Sequence, residues 1–286
     1  MLKYIFFFSF ALLYSAIALT QPVSKEITIP NTSNYSFKSK VNNAAYQISI
    51  YLPDNYNDNP DKTYPVLFFL DGNLWLPLAS SILQSINKAE DIEPLIMVGL
   101  GYDVEAFKFD VSNRSHDYTP TKDFLADSIL SFQYYCSIES GGAEQFALTF
   151  KNEIIPFIDS LFRTNGSKTI VGHSLGGLFV TYLLSEVPQL FNNYVIVSPA
   201  LWWDNYRLLN EIKEQNKLET IGSIYLVVGE NETTRIKKSA AQLNKYLRKK
   251  TKHKQDYKYE IYKDGNHFSI IPNVIVKTFS LFYKSE

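Results

Sequence analysis

Between Thr169 and Leu184 the sequence reads TIVGHSLGGLFVTYLL, and its character changes in the middle. Thr169, Ile170 and Val171 are β-branched and suit a buried strand, whereas the apolar residues after Gly177 fit a helix. The change falls on GHSLG, Gly172 to Gly176, so Ser174 is expected on a tight strand-to-helix bend that the glycines leave room for. A strand that turns straight into a helix commits the chain to alternating α/β architecture.

The rest of the chain keeps that rhythm. Strands are predicted at Tyr46 to Leu52, Val66 to Leu70, Leu95 to Leu100, Thr169 to Val171, Tyr194 to Val197, Ile224 to Val228 and Tyr257 to Tyr262. Most are short apolar runs ended by Gly, Asp or Pro, as befits parallel strands covered on both faces. Helices are predicted around Leu76 to Lys88, Glu144 to Phe162, Leu178 to Glu186, Arg235 to Lys250 and Val274 to Tyr283. The expected fold is a mostly parallel central sheet flanked by helices on both faces, one domain over residues 19–286. A long insertion at about 103–142 interrupts it, and a segment of that length is expected to form a wall or lid over a pocket.

Hydrophobic residues make up 45% of the 286, enough for one substantial core. The formal net charge is -1, which gives no electrostatic reason to expect nucleic acid as a partner. The N-terminus, MLKYIFFFSFALLYSAIALTQP, has the layout of a secretory signal peptide over residues 1–18, with cleavage expected after Ala18 and a periplasmic or secreted destination. An uncleaved anchor is the alternative, but the apolar run is short for a bilayer, and no stable membrane insertion is expected after cleavage. Cys136 is the single cysteine, so no intramolecular disulfide can form and no lipoprotein cysteine follows the leader.

Ser174 needs a base to remove its proton. Of four histidines, His173 adjoins the serine, His253 lies in a basic run and His116 in the insertion. His267 follows the last predicted strand on a glycine-containing loop, where a base for this serine belongs. The base in turn needs an acid, and VVGENE offers Glu230 and Glu232 after the preceding strand. Glu232 is preferred because its spacing from Gly229 lets the chain leave the sheet before the carboxylate turns inward. The oxyanion is expected to meet the N–H of Leu175 and a second N–H after VLFFLDGNLW, for which Asn73 is the candidate.

The segments YPVLFFLDG, RSHDYTP, EIIPFIDSLF, VGHSLGGLFVTYLL, SPALWWDN and VGENE together resemble the esterase D-like (putative esterase) family of α/β-hydrolases. They are most similar to its branch of periplasmic siderophore esterases, which open trilactones. The resemblance implies an α/β-hydrolase fold and hydrolysis of a small-molecule carboxylic ester through Ser174 and His267. It also implies that Arg114 lies near the pocket, either meeting an anionic substrate or bracing the loop through Asp117. Trp203 and its neighbour Trp202 are expected to line the pocket or pack in the core. Some members of the branch work as Ser–His dyads, so the acid position stays open.

Ten basic residues and one acidic residue lie between Arg235 and Lys258, yet Ile236, Ala240, Leu243 and Leu247 form a helical apolar stripe, which makes the lysines a solvated face. The scattered histidines and lone cysteine form no metal-ligand cluster, and there is no dinucleotide or Walker loop, so neither a metal nor a cofactor is expected. The reading is an exported serine esterase, set against a hydrolase-like binding protein without turnover and an acyltransferase of the same fold.

Overall fold

The computed structural model describes residues 28–104, 109–215, 222–250 and 256–285. The expected leader, residues 1–18, and His253 lie outside them. Strands β1 (Thr32–Lys38), β2 (Ala45–Tyr51), β3 (Tyr64–Leu70), β4 (Ile96–Gly101), β5 (Thr164–His173), β6 (Asn193–Val197), β7 (Ser223–Gly229) and β8 (Tyr257–Tyr262) form one sheet in the order β1-β2-β4-β3-β5-β6-β7-β8. β2 runs antiparallel to both its neighbours, and every other pairing is parallel. This is the α/β-hydrolase arrangement that the sequence implies.

Period-two alternation splits the core between the two faces. On one face Val66, Phe68, Leu70, Val98, Ile170 and Ile196 pack with side chains from α4 (Ala143–Thr149), α5 (Ile155–Leu161), α6 (Leu175–Glu186), α7 (Trp203–Gln215) and α8 (Thr234–Lys250). On the other, Leu67, Phe69, Met97, Val195 and Val227 meet α1 (Gly72–Glu90) and α9 (Ile271–Phe282). Each large side chain so buried contributes about 1.5–3 kcal/mol relative to exposure. The apolar stripe of α8 is buried as expected.

Three parts of the chain depart from the sequence expectation. β1, TSNYSFK, lies outside the predicted strands: it is a polar edge strand that among the described residues pairs only with β2, and its Tyr35 and Phe37 rings pack against Phe157 and Phe162. The single helix predicted from Glu144 to Phe162 contains a widened π turn, Phe150–Ile154, before Pro156 in the first turn of α5. Proline has no N–H for the helical ladder, and the wider turn accommodates the gap. The insertion holds two helices, α2 (Val111–Tyr118) and α3 (Phe124–Tyr134), each capped by an aspartate whose carboxylate accepts a backbone N–H, Asp110 from Asn113 and Asp123 from Ala126. α3 is inverted in polarity: Phe124, Leu125, Ile129 and Phe132 are exposed, while Asp127 is buried and accepts from the Ser140 N–H.

Because β3 and β5 to β8 are parallel, the segments that leave their carboxyl ends share one edge of the sheet. Asp71 to Asn73, Ser174, Ser198, Glu232 and His267 all follow those ends. Open α/β sheets bind ligands along this edge. Among the described residues no helix is long and apolar enough to cross a membrane.

Candidate active site

Ser174 sits between the last residue of β5 and the first of α6, at φ 59° and ψ -116°, a conformation that side chains rarely adopt. Neighbouring strands hold it there: its N–H donates to the Val197 carbonyl at 3.0 Å, and its own carbonyl accepts from Ala200 and Leu178, each at 3.0 Å. Gly172 makes the bend possible through space rather than torsion, since a Cβ at that position would lie 2.2 Å from the Gly176 carbonyl oxygen. A Cβ on Gly176 would meet nothing nearer than 3.5 Å, so the two glycines of the motif are not equivalent.

The His267 ring stands on the loop between β8 and α9, with Nδ1 2.7 Å from Glu232 Oε1. A carboxylate only accepts, so Nδ1 carries the proton and the Nε2 lone pair is left to take another. Burial opposes ionisation of Glu232. The hydrogen bond from His267, with help from the Thr233 N–H, outweighs it and holds the carboxyl below its ordinary range. Glu230 is occupied elsewhere, accepting from the Asp264 N–H at 2.9 Å, so the pair with His267 belongs to Glu232. Ser174 and His267 open onto one cavity of about 180 Å³, lined also by Arg114, Leu175, Leu130, Tyr134 and Phe268. Among the described residues the two side chains share no direct hydrogen bond; such bonds often tighten only around substrate.

Leu175 heads α6 and borders this cavity, and a helix N-terminus favours developing negative charge beside it. Asn73 does not border it. It lines a larger cavity of about 490 Å³ with Thr32, Asn34, Gln47 and Asp103.

Two expectations are corrected. Trp203 is 3% exposed and its indole N–H donates to the Thr121 carbonyl at 3.0 Å, so it anchors the insertion from the core and lines none of the pocket. Its neighbour Trp202 is covered by the Arg235 guanidinium, 4.0 Å from the ring centroid. Arg114 does border the cavity, but its carboxylate partner is Asp71 rather than Asp117: Nε and Nη2 reach the two Asp71 oxygens at 3.0 and 3.1 Å. Burial works against the Arg114 charge, and the facing carboxylate more than offsets it. Asp117 instead accepts from Tyr46 and Tyr102 and faces His116 Nδ1 at 2.8 Å.

On sequence alone His173 is considered only as a base and set aside, and Asp71 is assigned no role. His173 is buried beside the nucleophile, and Asp71 is a charged residue closing the apolar run of β3, the signal by which it could have been found. Residues 39–269 match the family described as "Putative esterase". The chain belongs to that family. Two curated esterases are similar to it. The ferri-bacillibactin esterase BesA of Bacillus subtilis strain 168 is 30% identical over 194 residues, 66% of this chain and 65% of its own. A siderophore enterobactin esterase of Emericella nidulans is 30% identical over 176 residues, 59% of this chain and 57% of its own. The matches thus span less than two thirds of either relative's length. Among solved structures, the BES protein from Bacillus cereus superposes with a TM-score of 0.78 at 28% identity, covering 92% of this chain and all of that one.

Proposed function

We propose that the chain is an exported serine hydrolase that cleaves carboxylic esters through an acyl-enzyme, with a siderophore trilactone as its substrate class. The observation that carries this reading is the strained Ser174 opening onto the same cavity as a His267 ring whose Nδ1 is tied to a buried carboxylate. Ser174 Oγ attacks the ester carbonyl as His267 Nε2 takes its proton. Glu232 stabilises the imidazolium so formed, and the Leu175 N–H at the head of α6 holds the oxyanion. His267 then protonates the departing alcohol, and water, deprotonated by the same ring, releases the acid and restores the serine.

The names of the similar esterases support the siderophore substrate, and the leader-like N-terminus supports export. The cavity, about 180 Å³, suits short or aromatic acyl groups better than fatty chains. The test is hydrolysis of p-nitrophenyl acetate and butyrate by the protein and by Ser174→Ala, with product masses followed on ferric and iron-free trilactones. Loss of the nucleophile is expected to reduce kcat about a million-fold, down to the background. Equal rates from both proteins reject the enzyme reading, and faster turnover of long-chain triglycerides rejects the substrate class.

A further inference from the structure

His173, the residue before the nucleophile, is a buried histidine that the mechanism above does not use. It is 2% exposed, and its Nε2 lies 2.7 Å from the main-chain carbonyl oxygen of His267. A carbonyl can only accept, so Nε2 carries the proton and donates it. Burial first, then the unfavourable electrostatics of placing a further positive charge beside the His267 ring and Arg114, hold this ring well below the ordinary histidine value, so it is neutral and its Nδ1 is a bare acceptor. Among the described residues Nδ1 is buried with no hydrogen-bond partner. An aliphatic residue would avoid the cost of burying that nitrogen but would lose the bond to His267.

Two further ties of the His267 loop run to the end of the adjacent strand, β7. Asn231 N–H donates to the Gly265 carbonyl, and Asp264 N–H to Glu230, so both fasten the loop to the end of β7. The His267 side chain is fastened to that same loop through Glu232. Among the described residues, only the His173 hydrogen bond reaches from the loop to the end of β5, the strand that leads into Ser174. The rings of His173 and His267 also pack at 4.4 Å between centroids.

We propose that His173 is a positioning residue that sets the distance between base and nucleophile by pinning the His267 main chain to the residue adjoining Ser174. The proposal rests on the serine-esterase reading. It predicts that the donor at the Nε2 position matters, rather than the ring. In His173→Gln an amide N–H reaches about as far as Nε2, in His173→Asn it stops short, and in His173→Leu there is no donor. The experiment measures kcat and KM for p-nitrophenyl acetate, with a thermal melt of each variant. Expected is a loss in kcat of roughly 10- to 100-fold for Asn and Leu with little change in KM, and Gln within about threefold of wild type. Gln impaired as badly as Asn at equal melting temperature overturns the proposal, and so do Asn and Leu variants with wild-type kcat. Should Leu fail to fold, the Gln and Asn pair decides alone. Failure of the esterase reading itself looks different, as wild-type protein would then show no Ser174-dependent hydrolysis.

Discussion

The pair Arg114–Asp71 separates a brace from a substrate anchor, and its strength can be worked from the structure. Both oxygens of Asp71 are engaged by the guanidinium fork, and the two side chains are only 11% and 3% exposed. Arg114 also lies 4.7 Å from the Phe109 ring centroid and 5.5 Å from that of Tyr118, whose hydroxyl accepts the Asp71 N–H. Replacing one member of a buried pair leaves the other charged and unpaired, at a cost of about 3–5 kcal/mol. Arg114→Met is therefore expected to destabilise the fold by at least about 3 kcal/mol, a drop in Tm on the order of 6–12 °C for a chain of this size. Asp71→Leu should behave alike, whereas the double variant Asp71→Leu/Arg114→Met removes both charges and should recover most of the loss. Urea titrations of the four proteins close the thermodynamic cycle, and KM for one anionic and one neutral ester completes the set. The reasoning fails if Arg114→Met melts with wild type while raising KM for the anionic ester alone, for then the arginine would serve the ligand rather than the fold.

Three further outcomes follow from geometry described above. The Glu232 carboxyl titrates below its ordinary value of 4.5, so its contribution to stability is full above that pH and vanishes as acid carries the pH through the lower folded value; melts of wild type and Glu232→Gln should differ at neutral pH and converge in acid, and a constant gap would contradict this. Gly172→Ala would bring a methyl group to 2.2 Å from a main-chain oxygen, so the variant should be insoluble or strongly destabilised, whereas Gly176→Ala should fold; equal solubility of the two would refute the space argument. His173 Nδ1 and Trp75 Nε1 are both buried without a protein partner and both side chains border a small cavity with room for about one water molecule; a high-resolution crystal structure should show a water there, and a dry cavity would count against it.

The central strands were legible because both of their faces are covered: VLFFL in β3 and IYLVV in β7 are apolar throughout, and the Gly or Asp after each marks where it stops. β1 was not, since an edge strand with serine and asparagine on its open face looks like a loop. α3 was invisible for the opposite reason, because a helix that turns Phe124, Ile129 and Phe132 outward violates the amphipathic rule by which surface helices are found. Ser174, Glu232 and His267 could be named as candidates from their positions after three strands, now β5, β7 and β8. The partners of Arg114 and His173 could not, because each depends on how distant loops meet, 43 and 94 residues apart in sequence.

On the proposed mechanism the base follows β8, the last of the described strands, and that has a consequence in time as well as in space. A growing chain that has been made as far as Lys250 already holds the whole of β5, its bend and the acid of the Glu232 loop, but no imidazole to activate the serine. Under that mechanism the serine gains its base only when β8 has emerged and closed the edge of the sheet beside β7.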